Sequence, residues 1–474
     1  MESAIAVGPP PEAASDLTEK IQIPELVPSA PPGPEPTAVA PVTGKDRLVA
    51  LDTLRGLAVL GILLMNILFF GMPMIASINP DATGEATFLN RASWVINEIL
   101  FEGKMRTIFS MCFGAGVILL TSRAEKRGAG ATIADIYYRR NLWLILFGLL
   151  HAYFLWAGDI LYSYGLAGLF LYPFRKMRPW ALITIGVFLL LLSTLIGGVT
   201  AVVIQKLPGM AEKAKAAEAA GQTLTEKQKK VLKGWEQLQK YIHPTEKDLE
   251  KDMKGHLEDY WGVFEYRAGL VVHMQSIKFY KSTFFDVAGM MFLGMALMKM
   301  GVFAAERSIR FYTIMAIVGY GIGYTITTLV AVVAIQSDFN LLEFIVPYYL
   351  TYQFGRLFVA LGHIAVVMLI CKKALLPRMR RVLATVGQMA FTNYILATVI
   401  CVFLFEGFGF GLFGELERYQ LYLVVFGVWA VQIGLSMVWL RFFRFGPLEW
   451  AWRALTYWQL PRMLKEDKYL PETA

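Results

Sequence analysis

Charge is scarce in this chain, and cysteine and compact catalytic motifs are scarcer still. Asp, Glu, Lys and Arg make up 17% of its 474 residues, against about 25% in an average soluble protein. That leaves too few ionised groups to cover an ordinary water-facing surface. The three cysteines, Cys112, Cys371 and Cys401, all lie in or at the end of apolar runs. They form neither a disulfide framework nor a zinc-ligand spacing, and no metal site is expected. There is no P-loop, no GxSxG and no HExxH, so no soluble-type nucleotide, serine-hydrolase or zinc-protease site is on offer. The N-terminus carries no signal-peptide pattern.

What is present is hydrophobic length. The chain is 56% hydrophobic, and several runs reach the roughly 20 apolar residues a bilayer crossing needs. Spans are expected over 51–72, 94–120, 141–157, 160–174 and 180–204, with the third and fourth joined at Gly158–Asp159. Further spans follow at 284–303, 311–335, 356–371, 384–405 and 420–440. The fold class is therefore all-α, a polytopic bundle of about ten transmembrane helices. Residues 1–44 hold nearly half of the 21 prolines and read as a disordered tail, or as a partner-binding polyproline segment. The remaining units are a 45–204 bundle, a 205–280 insert, a 281–460 bundle and a 461–474 tail.

Basic residues punctuate alternate connections. Lys45 and Arg47 precede the first span; Arg123, Lys126, Arg127, Arg139 and Arg140 precede the third. Arg175, Lys176 and Arg178, then Arg307 and Arg310, then Lys372, Lys373, Arg378, Arg380 and Arg381 continue the pattern, and Arg441 and Arg444 close it. The intervening connections are poor in Lys and Arg. Read by the positive-inside rule, both termini face the cytoplasm. The net charge of +8 then reflects cytoplasmic loops, not a nucleic-acid partner. The insert falls outside. Its Val231, Trp235, Leu238 and Ile242 recur at helical spacing, and Tyr260, Trp261 and Phe264 follow. These predict short amphipathic helices capping the outer face.

Polar side chains inside hydrocarbon are costly and mark function by default. On the first span Asp52 and Arg55 share a face, and Asn66 lies eleven residues beyond Arg55 on nearly the same face. That stripe is either an anion-binding group with a polar track or a snorkelling Asp52–Arg55 pair. His151 sits deep in the third span, on the face of Arg140 and close to Asp159. It is a general base or nucleophile, or else a satisfied structural histidine. Glu102, Lys104 and Arg106 cluster on the second span, as an interfacial charge group or a functional one. Arg356 and His363 share a face on the eighth. Gln388, Thr392, Asn393 and Tyr394 form a polar patch on the ninth, as interhelical glue or as substrate contacts. Gly289, Gly294, Gly319, Gly321 and Gly323 read as packing signals.

The strings RLVALDTLRGLAVLGILLMNI, FEGKMRTIFSMCFGAG and YRRNLWLILFGLLHAYFLWAGDILYSYGLAGL resemble the bacterial YeiB-like membrane family. GQMAFTNYILATVI through FRFGPLEWAWRALTY is similar to that family's domain of unknown function 418. The LDxLRG opening also resembles the transmembrane acyltransferases of the acyltransferase-3 and heparan glucosaminide N-acetyltransferase group. That resemblance implies transfer of an acyl group from cytoplasmic acyl-CoA to an extracytoplasmic or membrane-linked acceptor, such as a glycan. Where the acyltransferase-3 pattern has a histidine late in the first span, this chain has Asn66, which leaves His151 as the candidate base.

On this expectation Arg55, Arg139 and Arg140 hold the CoA phosphates, and His151 acts with Asp159 or Glu102 as its orienting carboxylate. Asn66, Lys104, Arg106, Arg356, His363 and Asn393 line the acceptor's path. The setting is the bacterial inner membrane, with lipid as neighbour and a homo-oligomer left open. The alternative is a transporter of a small polar or anionic solute, in which the same buried charges line the path. A non-catalytic scaffold leaves Arg55, His151 and Arg356 unexplained.

Overall fold

A computed structural model describes residues 48–465 apart from 83–86, 129 and 131. The N-terminal proline-rich tail and residues 466–474 lie outside the described residues, and so do the expectations placed on them. Among the described residues the chain is helical throughout, and the single β contact is an isolated bridge between Phe443 and Leu464.

The first helix, α1 (Val49–Gly71), is the axis of the bundle. Of its most apolar stretch 78% is buried, against 22% for α12 (Ile309–Gln336) and for α16 (Arg418–Phe442). α1 touches α4 (Lys104–Lys126), α13 (Leu341–Lys372), α14 (Pro377–Gln388), α15 (Ala390–Phe405) and α16. The peripheral helices turn Ile317, Leu329, Leu423 and Phe426 outward. Apolar side chains on the outside are what hydrocarbon requires, since every backbone group is satisfied within a helix.

Two short helices, α2 (Met74–Ile78) and α3 (Phe88–Ile96), lead through a π-helical turn (Asn97–Phe101) into α4. The break falls at Gly103, whose φ of +72° suits a residue without Cβ. A Cβ there would also meet Tyr352 Oη at 2.5 Å and Arg356 Cδ at 3.0 Å. α5 (Thr132–Phe154) and α6 (Leu161–Leu171) form the hairpin about Gly158–Asp159. α7 (Pro179–Ala219) runs 41 residues, well past its apolar part.

The insert is helical. α8 (Glu226–Ile242) opens with a capping box at Thr225 and Gln228 and packs back on α7. α9 (Glu246–Leu257) is capped by Thr245 with Asp248. α10 (Tyr260–His273) caps α5: Tyr260 Oη donates to the Phe154 carbonyl at 3.1 Å, and Phe264 packs on Phe154. A second π-helical stretch (Met274–Thr283) leads into α11 (Phe284–Lys299). The chain closes with α17 (Pro447–Tyr457).

Seven helices are long and apolar enough to cross a membrane, or eight if the bent α14–α15 pair is one span. The protein is a multi-pass membrane protein. The difference from the ten expected lies in the hairpin. α6 has only 11 residues, and α5 begins with a charged turn around Asp135 and Arg139.

Backbone-to-backbone contacts set the bundle. A Cβ on Gly294 would lie 2.1 Å from the Met111 carbonyl, and one on Gly114 would lie 2.0 Å from the Met291 carbonyl, so α4 and α11 interlock. Gly289 does the same against α7, and Gly319 and Gly323 against α13, while Gly321 faces open space. Tight packing of small residues takes the place of a hydrophobic driving force within lipid.

The basic connections gather at one end. Arg175 pairs with Glu125, Lys299 donates to the Met177 carbonyl, Lys372 to that of Ala305, and Trp452 to that of Arg140. The insert occupies the opposite end, where Gly407 N–H donates to the His256 carbonyl and Gly414 N–H to that of Gly71.

Candidate functional site

At the basic end, α1 crosses α14 with no side chains between them. A Cβ on Gly56 would stand 1.9 Å from the Leu383 carbonyl oxygen, and one on Gly387 would stand 1.9 Å from that of Asp52. Arg55 sits beside this crossing and donates to Asp52 Oδ1 at 3.0 Å. Both face a cavity of about 240 Å³ bounded by α1, α4, α5, α6, the α14–α15 bend and α17.

Four guanidinium groups line the cavity, from Arg55, Arg123, Arg140 and Arg453, against two carboxylates, Asp52 and Glu449. Its walls are apolar and aromatic, with Phe109, Phe113, Leu144, Phe391 and Trp452. The Arg140 guanidinium lies 3.7 Å from the Trp452 ring centroid, a cation–π seat that keeps the charge without a carboxylate partner. Arg139 faces elsewhere, paired with Asp135 at 2.5 Å and over Trp458.

Glu449 belongs to the fold as much as to the cavity. The chain turns by 82° between α14 and α15, which exposes the first N–H groups of α15. Glu449 accepts from Phe391 N at 2.7 Å, Thr392 N at 3.1 Å and Thr392 Oγ1 at 2.6 Å. Burial pushes its carboxyl above the ordinary value of 4.5, with these hydrogen bonds acting against the rise.

The floor is made by two tyrosines. Tyr394 packs its ring 5.1 Å from that of His151 and accepts from Ile160 N–H at 3.3 Å. His151 itself is not among the lining residues. Its Nδ1 lies 2.8 Å from Asp159 Oδ1 and its Nε2 lies 3.0 Å from Thr398 Oγ1, with 1% of the side chain exposed. Both ring nitrogens are therefore committed one side chain behind the cavity. Asp159 is the carboxylate that orients the histidine, and it is held in turn by Tyr162 N–H at 2.7 Å. Glu102 lies elsewhere.

The other floor residue, Tyr164, bonds Ser110 Oγ at 2.6 Å and donates to the Arg106 carbonyl at 3.3 Å. Behind it lies an ion centre. Arg356 is bonded to Asp286 and to Gln353, which itself donates to Ser193 at 3.1 Å. Arg106 lies 3.6 Å from the second Asp286 oxygen and donates to Tyr352 Oη at 3.3 Å, while Tyr352 donates to Glu102 at 3.5 Å. Lys104 is buried and donates to the Glu98 carbonyl.

The other expected residues disperse. His363 is tied to Tyr320 Oη at 2.9 Å and to the Leu100 carbonyl at 3.1 Å. Asn393 bonds Ser436 at 2.9 Å and the Val386 carbonyl at 3.2 Å, joining α15 to α16. Asn66 is half-buried on α1, away from the cavity lining. Among the described residues no group of three or more His, Cys, Asp or Glu side chains could hold a metal.

Sequence reasoning passed over Asp286, Tyr352, Tyr164 and Arg453. Asp286 had a usable signal: a lone carboxylate opening the apolar run FFDVAGMM. Tyr352 lies one helical turn before Arg356, but nothing in the sequence places either beside α4.

The uncharacterised protein YeiB of Escherichia coli K12 is 31% identical over 414 residues, covering 87% of this chain and 96% of its own length. This chain belongs to the YeiB-like family. A second YeiB-like relative, the uncharacterised YxaH of Bacillus subtilis, is 29% identical over 91% of this chain and all of its own. An uncharacterised protein of Bacillus acidopullulyticus is 26% identical over 90% of this chain and 99% of its own. The family model described as a protein of unknown function (DUF418) matches residues 297–459. That segment contributes Arg356, Tyr394, Glu449 and Arg453 to the YeiB-like architecture; Arg55, Arg140 and His151 come from the part before it. No solved structure matches the chain.

Proposed function

We propose that this protein is a membrane acyltransferase of the bacterial inner membrane, its basic end facing the cytoplasm and its acyl-CoA donor held in the arginine-lined cavity. One observation carries the reading. Four guanidinium groups, from four separate helices, converge on one amphipathic cavity with only two carboxylates among them. Guanidinium groups suit phosphate oxygens, and the apolar walls suit an acyl arm. The enclosed volume of about 240 Å³ is a little under the usual range for small ligands. It takes the acyl end and its thioester, with Arg123 and Arg453 nearer the mouth for the phosphates. Membrane lipid surrounds the bundle, and the acceptor, a glycan or other membrane-linked hydroxyl or amine, approaches from the insert end.

His151 acts in this reading as a positioning residue. With Asp159 and Thr398 it fixes the wall against which Tyr394 stands, and Tyr394 is the group that meets the donor. Purified protein given acetyl-CoA should release free CoA, and Arg55→Gln and Arg140→Gln should each weaken donor binding by about tenfold or more. His151→Ala should lower kcat more than it changes the donor's KM. Failure of the folded protein to bind any CoA ester would sink the proposal.

The second reading is transport of a small anionic solute, favoured by the ion centre lying directly behind Tyr164. Uptake of an anion by proteoliposomes, with no CoA turnover, would select it.

A further inference from the structure

We infer that the ion centre behind Tyr164 is a second anion site, which binds a phosphate group between Arg106 and Arg356. The inference does not use the acyl-transfer reading, since this site is separate from the cavity and is built from other helices.

Four cations meet three carboxylates there: Lys104, Arg106, Arg356 and Arg418 against Glu98, Glu102 and Asp286. Charges at this depth are normally balanced, because an unpaired one costs several kcal/mol. The imbalance shows in the hydrogen bonds. Arg356 and Arg106 share one carboxylate, Asp286, and Arg106 reaches it only at 3.6 Å. Arg106 Nε is buried with no hydrogen-bond partner, and so are Nε and Nη1 of Arg418, a residue 1% exposed. Arg418 is held through Nη2 to the Ala76 carbonyl, with Glu98 and Glu102 acting on it only through space.

The centre also has space. Arg106 keeps 34% of its side-chain surface open although α4, α11 and α13 surround it. A narrow crevice of about 10 Å³, lined by Glu98, Lys104, Tyr348, Tyr352 and Arg356, runs from the centre to Ile326 and Val330 on α12. α12 is one of the two most exposed apolar helices. A phosphate on Arg106 and Arg356 would take up the unused N–H groups and restore neutrality, with Tyr352 Oη as a further donor. The crevice leads toward lipid, so the phosphate is either a free ion or a lipid headgroup.

The test is the thermal unfolding midpoint of the purified full-length protein. It is measured in detergent with inorganic phosphate against chloride at equal ionic strength, and in nanodiscs of phosphatidylcholine with or without phosphatidylglycerol. Phosphate or phosphatidylglycerol should raise the midpoint of wild type and of Arg55→Gln alike. Arg106→Gln should need about tenfold more phosphate for half the shift, and Tyr352→Phe should need several-fold more, which keeps the test alive if Arg106→Gln folds poorly. A shift with phosphatidylglycerol alone assigns the site to a headgroup, and one with free phosphate assigns it to an ion. Equal shifts in Arg106→Gln, Tyr352→Phe and wild type would overturn the inference. So would a shift lost only in Arg55→Gln, or no shift with either probe. Loss of CoA-ester binding leaves it standing.

Discussion

The cavity and the ion centre use the same side chain in opposite ways. In the cavity, Arg140 rests on the Trp452 ring and Arg55 on a neighbour in its own helix. In the ion centre, Arg356 is held by Asp286 from another helix and by Gln353, which is itself held by Ser193 from a third. The first arrangement keeps charge available to a ligand; the second makes it part of the packing. Substitutions in the two places should therefore fail differently.

The largest effect is expected from Arg356→Met. It leaves Asp286 with only the distant Arg106, and breaking a buried pair from one side costs about 3–5 kcal/mol. Chemical denaturation in detergent reads it directly, and a double Arg356→Met, Asp286→Leu variant should recover much of the loss. His151→Ala comes next. It removes bonds to Asp159 and Thr398, for about 1–3 kcal/mol, because each partner keeps a second bond. Arg55→Gln should change stability by under about 0.5 kcal/mol while weakening CoA-ester binding, as isothermal titration would show. If Arg55→Gln proves as destabilising as Arg356→Met, the contrast between the two regions collapses.

The smallest effect belongs to Glu449. Its folded carboxyl titrates above the ordinary 4.5, so between 4.5 and the folded value the native state binds the extra proton. Stability then falls as pH rises through that window, by at most about 1.4 kcal/mol per unit. Glu449→Gln keeps the acceptor for Phe391 and Thr392 and should flatten that part of the pH–stability curve. An unchanged slope would mean that another group carries it.

Helix class, the alternating basic connections and the capping insert could be read from period and composition, because those signals are local. Asp52 with Arg55, and His151 with Asp159, were legible for the same reason: each pair lies within a turn or a short hairpin. The meeting of Arg55 with Arg140, and of Arg106 with Asp286 and Arg356, joins helices far apart in the chain. No spacing encodes that. Gly56 and Gly387 explain part of it after the fact: their missing Cβ atoms let α1 and α14 touch, which brings the α14–α15 bend against the cavity. The hairpin count went the other way. Two apolar runs looked like crossings, but α6 is eleven residues long and rises only about 17 Å.

The bend before α15 has a consequence for selectivity. A helix start pointing at a cavity commonly serves as an anion seat, but here Glu449 already fills it. Discrimination by charge then falls to guanidinium groups alone, which stay protonated at any physiological acidity. Preference for an anion on that side should persist unchanged when the compartment acidifies, so the protein would work as a constant filter there and not as an acid-triggered one.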